Sequence, residues 1–95
     1  MAVGDSAQAT QTGAIAIGLN SQSTGTNSIA IGTGAVATGS IAVGFGASAA
    51  NGGSAFGDNT IATGNNSVAL GLGASATHAN ASALGNGATT TRPNQ

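Results

Sequence analysis

Ninety-five residues with a net charge of −1, 3% charged side chains, 17 glycines and no cysteine describe one domain or a segment of a longer array. One arginine, Arg92, cannot neutralise a run of phosphates, which excludes nucleic acid as a partner and argues against anionic membrane surfaces. Without cysteine there is no disulfide and no thiolate metal site. Apolar runs stay well below the roughly 18–20 residues of a membrane span, and no charged n-region or apolar h-region of a secretion signal follows Met1. Disorder is a poor fit as well, because it goes with high charge and low hydrophobicity, whereas Val, Ile and Leu recur here at regular places.

That regularity is an internal repeat. Aligned on one marker glycine per unit (Gly4, Gly18, Gly32, Gly44, Gly57, Gly71 and Gly85), the units are 14, 14, 12, 13, 14 and 14 residues apart. Two residues before each marker stands alanine: Ala2, Ala16, Ala30, Ala42, Ala55, Ala69 and Ala83. Directly before it the residue is apolar: Val3, Ile17, Ile31, Val43, Phe56, Leu70 and Leu84. Three before it come Ile15, Ile29, Ile41, Ser54, Val68 and Ser82.

Each unit therefore opens with a short strand, in which large side chains alternate with alanine at a period of two. β-Branched residues favour that reading, and so many glycines would each cost a helix about 1 kcal/mol. A turn follows the marker. Its second residue is Ser6, Asn20, Gly34, Gly46, Asn59, Gly73 or Gly87, a column read as a left-handed position. A second strand comes next, with small residues three and five past the marker, such as Ala35 and Ala37 or Ala74 and Ala76. A further turn rich in Gly and Asn (Gly25, Gly39, Gly64, Asn65, Asn66) closes the unit. Two strands and two turns make one coil. The expected fold is all-β, a parallel β-solenoid of about seven 14-residue coils, rising about 4.8 Å per coil to roughly 30–35 Å.

The columns also predict which face is which. Only small side chains fit inside a narrow roll, so the alanine column lines it. The large column, Val3, Ile15, Ile17, Ile29, Ile31, Ile41, Val43, Phe56, Val68, Leu70 and Leu84, then forms an outer stripe, and a continuous apolar stripe marks an interface. An alanine-lined interior contributes little stability, at about 0.8 kcal/mol per buried CH₂. The chain is thus expected to be an obligate oligomer, closed about an axis parallel to the solenoid. The alternative places the large residues inside and the alanines out.

The repeats NSIAIG at 27–32, GSIAVG at 39–44 and NNSVALG at 65–71 closely resemble the head repeats of trimeric autotransporter adhesins, the YadA-like head. The segments GTGAVATG and GLGASATH are similar to the second half of that repeat, and the resemblance runs from Ala2 to about Thr91 over seven copies. It implies a left-handed parallel β-roll and a homotrimer whose interface holds Ile15, Ile17, Ile29, Ile31, Ile41, Val43, Phe56, Val68, Leu70 and Leu84. It also implies a place on the bacterial cell surface, attachment to a host extracellular-matrix protein or cell-surface receptor, and no cofactor. The whole of 1–95 reads as head repeat, a fragment of a longer passenger. Nothing in it resembles the family's coiled-coil stalk or C-terminal membrane barrel, so this segment is expected to make no direct membrane contact. Shortened coils ending at Gly44 and Gly57, and serines at Ser54 and Ser82, depart from the pattern and put local packing there in question.

Other features are weaker. Six residues past the marker stand Thr10, Thr24, Thr38, Thr63 and Thr77, interrupted by Ala50. They are assigned to the outward face of the second strand. A regular Thr array could organise water, as in an ice-binding solenoid, but threonine equally suits any parallel ladder. His78 is the lone histidine, whereas zinc needs three or four ligands. Asp5 and Asp58 share a turn column nearly four coils apart, too far for an acid–base pair, and are read as solvating turns. Gly-x-Gly pairs such as Gly71/Gly73 lead into no helix, so they reflect repeat geometry rather than a phosphate loop. With no Ser–His–Asp constellation either, no enzyme is expected. Leu19, Phe45 and Leu72, one past the marker, are read as interface packing or as small apolar surface spots. The three functional readings are an adhesion module, a passive spacer in a surface fibre and an ice binder.

Overall fold

A computed structural model describes residues Met1–Gln95. Thirteen short strands follow one another in chain order: β1 (Ala2–Val3), β2 (Gln8–Ala9), β3 (Ile15–Ile17), β4 (Gln22–Ser23), β5 (Ile29–Ile31), β6 (Val36–Ala37) and β7 (Ile41–Val43). They continue with β8 (Ser48–Ala49), β9 (Ser54–Phe56), β10 (Ile61–Ala62), β11 (Val68–Leu70), β12 (Ser75–Ala76) and β13 (Ser82–Leu84). Odd-numbered strands form one seven-stranded parallel sheet and even-numbered strands a six-stranded one. The chain alternates between them, making a β-solenoid of about six turns. Its principal extents are 36 × 23 × 11 Å, and the long one follows the stacking of coils.

The register obeys the sequence columns. Alanine pairs with alanine up the odd sheet (Ala2↔Ala16, Ala30↔Ala42, Ala42↔Ala55, Ala69↔Ala83). From Ala16 onward this column is buried, and it meets Ala35, Ala37, Ala47, Ala49, Ala62, Ala74 and Ala76 from the even-sheet side. The interior is thus a sheet-to-sheet alanine contact, which is why the thin dimension is only 11 Å. The alternative with large side chains inside is overturned. A single-residue slip would reverse the faces of every strand, and the roll has no room for isoleucine.

Shortened coils do not disturb this order. Ile29↔Ile41 and Ile41↔Ser54 keep the same register as Ile15↔Ile29, so the strands of the short coils stack regularly. The missing residues come out of the closing turn. In a full-length coil that turn carries one left-handed residue: Gly13 (φ 75), Asn27 (φ 60), Asn66 (φ 56) or Asn80 (φ 57). In the 12-residue coil Gly39 and Ser40 make the connection with no positive φ. The turn after the marker is constant. Ser6, Asn20, Gly34, Gly46, Asn59, Gly73 and Gly87 all have φ between 58 and 70, the left-handed column expected from composition.

The second strand is shorter than the sequence suggests. It ends five residues past the marker, so Thr10, Thr24, Thr38, Thr63 and Thr77 lie just beyond the strand rather than on it. Their amides still extend the ladder, as in Thr24 N to Ala37 O at 3.0 Å and Thr38 N to Ala49 O at 3.0 Å. The bend into the closing turn starts at the next residue in four of the five coils, and at Thr38 itself in the 12-residue coil.

A few polar groups enter the alanine core, and one is unpaired. Ser28 Oγ donates to Gly25 O at 2.7 Å, accepts from Gly25 N at 3.1 Å and lies 2.6 Å from Ser23 Oγ. Ser67 occupies the same position in its coil, opposite Ala62 rather than a serine, and its buried Oγ has no partner. An orphaned buried hydroxyl costs about 1–3 kcal/mol. Ser67→Ala should therefore raise the urea midpoint, while Ser28→Ala, which strands Gly25 N but leaves Ser23 Oγ its bond to the residue-28 carbonyl at 2.8 Å, should lower it.

Candidate functional site

The largest coherent feature of the surface is the outer face of the odd sheet. Strand alternation turns the alanines inward and the large residues outward, and parallel register stacks the latter in two columns. One column runs Val3, Ile17, Ile31, Val43, Phe56, Leu70, Leu84. The other runs Ile15, Ile29, Ile41, Ser54, Val68, Ser82. Every residue assigned from sequence to the stripe is on this face.

Mutual contact covers the face from Ile15 to Val43 more than it covers the first coil or the coils from Phe56 onward. Ile15, Ile17, Ile29, Ile31, Ile41 and Val43 are half-buried by their neighbours in the columns. Val68 and Phe56 are each 37% exposed, Val3 51% and Leu84 64%. A continuous row of large apolar groups, none of them fully buried, along a 36 Å rod differs from the scattered apolar residues of an ordinary surface. Ser54 and Ser82 interrupt only one column. Ser54 Oγ lies 3.4 Å from Ser40 Oγ, so its hydroxyl is directed along the rod to a neighbouring coil.

Two smaller apolar sets lie elsewhere. Leu19, Phe45 and Leu72 are exposed, but the ladder through this turn stacks them alternately with Asp5, Thr33, Asp58 and Asn86. They are isolated spots. Val36 and Ile61 form a second set on the outer face of the even sheet, separated by Ser48. Their sequence signal was the outward column of the second strand, whose other members (Gln8, Gln22, Ser75) are polar.

The threonine column is uneven. Thr10, Thr38 and Thr77 are exposed, whereas Thr24 and Thr63 are partly covered. His78 is partly buried, with Nδ1 3.2 Å from Thr90 Oγ1 and 3.4 Å from Thr77 Oγ1. Asp58 acts locally: its Oδ1 accepts the Phe45 N–H at 3.1 Å, which ties one turn to the next. No three His, Asp or Glu side chains gather where they could hold a metal, and the surface carries no pocket. The structure brings together an extended apolar face, and such a face can do one thing well, which is to pack.

None of the curated proteins matches this sequence. The model of the YadA head domain repeat (2 copies) matches residues 1–21, 23–47, 50–74 and 62–88, nearly the whole chain and every coil described above. The chain belongs to the YadA-like family of trimeric autotransporter adhesin head domains.

Proposed function

We propose that three copies of this chain pack their odd sheets around a common axis, and that the resulting left-handed rod serves as an adhesive head on a bacterial surface. The observation that carries this reading is the inversion of the usual burial pattern: alanine fills the core while Ile, Val, Leu and Phe face out. A second copy is the covering that fits such a face, because the register of one chain repeats identically in the next and a closed ring leaves no stripe uncovered. The interface comprises Ile15, Ile17, Ile29, Ile31, Ile41, Val43, Phe56, Val68, Leu70 and Leu84, and the whole of 1–95 acts as head.

With large side chains turned inward to the axis, the even sheets and turns remain for ligands. Attachment to host matrix proteins or cell-surface receptors then uses many weak contacts repeated along the rod and across three chains, so avidity supplies the strength. Thr10, Thr24, Thr38, Thr63 and Thr77 are the outward groups in this arrangement. Neither catalysis nor a cofactor enters the reading. A spacer in a surface fibre is the second reading, favoured by the regular, pocket-free rod.

Sedimentation of the purified chain is expected to give a species of three chains at all accessible concentrations. Solid-phase binding to collagen, fibronectin, laminin and intact host cells separates the two readings. Saturable binding to one of them supports the adhesin. A stable trimer that binds none identifies the spacer, and a monodisperse monomer removes both.

A further inference from the structure

Closing turns in this solenoid are secured by one recurrent bond. The amide of the left-handed residue donates to the preceding coil: Asn27 N to Thr12 O at 2.9 Å, Asn66 N to Asn51 O at 3.0 Å, Asn80 N to Asn65 O at 2.8 Å. The turn at 50–53 is different. The coil before it is the one shortened by two residues at Gly39–Ser40, and it offers no carbonyl opposite. As a result neither Asn51 nor Gly52 donates its main-chain N–H to any acceptor in the chain. Both residues are left-handed, with φ 54 and 79, and Gly53 N closes the turn on Ala50 O at 2.8 Å. Asn51 is exposed, its side chain held only by Nδ2 donating to Thr63 O at 3.0 Å.

An asparagine followed by glycine is the pair in which the next main-chain nitrogen reaches the side-chain carbonyl carbon with least obstruction, since glycine adds no side chain and its torsions are free. We propose that Asn51–Gly52 is a self-modification site, at which the chain deamidates spontaneously with water as the only co-reactant. Gly52 N gives up its proton and bonds to Asn51 Cγ. The Cγ–Nδ2 bond breaks and ammonia leaves with the proton, closing a succinimide ring. Water then opens the ring at one of its two carbonyls. Attack at Cγ restores the ordinary backbone with aspartate at 51. Attack at the main-chain carbonyl carbon of residue 51 leaves isoaspartate, whose backbone runs through the former side chain. No atom is oxidised or reduced.

The chain contains its own control. Asn86–Gly87 has the same sequence, but Gly87 N donates to Leu72 O at 2.9 Å, so attack there must first break a ladder bond. Either product at residue 51 removes the donor to Thr63 O and adds one negative charge to a chain whose net charge is −1. Isoaspartate also lengthens the main chain of the turn that joins β8 to β9, which makes this turn the part of the rod that ages.

The test holds the full chain in warm, mildly alkaline buffer for days. Peptides are read by mass spectrometry, and isoaspartate is detected by enzymatic carboxyl methylation. Asn51 is expected to convert on the order of ten-fold faster than Asn86, the factor a made amide–carbonyl bond provides. Asn51→Gln should abolish the fast phase and Asn86→Gln should leave it intact. Equal rates at the two sites overturn the proposal. So does an unmodified Asn51 in folded chain that converts readily when unfolded in urea.

Discussion

Replacing Gly32 by alanine should unfold the array. The marker glycines have φ between 117 and 134, a region closed to residues with a Cβ and worth about 1–3 kcal/mol of strain by itself. The larger effect is steric. A Cβ on Gly32 would lie 2.5 Å from Gly44 O and 2.7 Å from Gly44 C, inside the backbone of the next coil, and no side chain is available to yield. Either the two coils separate and their ladder breaks, or the strand leaves its register. Because each coil contacts only its neighbours, a break at Gly32 divides the solenoid into two pieces too short to stand. Gly85→Ala isolates the first term, since φ is 117 there but nothing lies within 4 Å of the added carbon. Thermal unfolding followed by circular dichroism should show a modest loss of Tm for Gly85→Ala and no cooperative transition for Gly32→Ala. Equal losses would show that torsional strain, not close stacking, fixes these glycines.

Ile31→Asp is expected to have the second large effect. In the proposed trimer the substitution places three carboxylates near one axis, each removed from water at a cost of several kcal/mol and each repelling the others. Assembly should fail, and with it the fold, because the alanine core left to a single chain buries so little surface. Gln22→Asp, on the outer face of the even sheet, introduces the same charge where water remains and should sediment like the parent. If Ile31→Asp stays assembled and folded, the odd sheet does not form the interface.

Much of this was legible in the sequence because the repeat averages over noise. One SIAIG segment is a weak strand signal, but seven in phase fixed the coil, its two strands and the inward alanine. The left-handed column at Ser6, Asn20 and Gly34 was readable for the same reason, since few residues tolerate positive φ. Less visible was the extent of the second strand. Thr24 and Thr63 carry strand-like propensity and still make ladder bonds, yet the strand ends one residue before each and the bend starts one residue after, and propensity says nothing about where a bend must fall to close a coil. The unpaired Ser67 was invisible as well. Its partner column lies across the roll, where Ser23 faces Ser28 but Ala62 faces Ser67, and that juxtaposition exists only in three dimensions. The freed amide at Gly52 depends on the length of the coil before it, a relation that no local window contains.

Turn shortening at Gly39–Ser40 leaves the strand register untouched, and this has an evolutionary consequence. Coils of different length follow one another because each presents the same two ladders in the same register to its neighbour. Unequal recombination between repeats could then insert or delete whole coils without shifting the strands, the cost of an unlike junction being confined to a closing-turn bond such as the one missing at 50–53. Reach is a heritable variable in such a molecule: a lineage could lengthen or shorten its rod by single steps of one coil, leaving packing and assembly as they were.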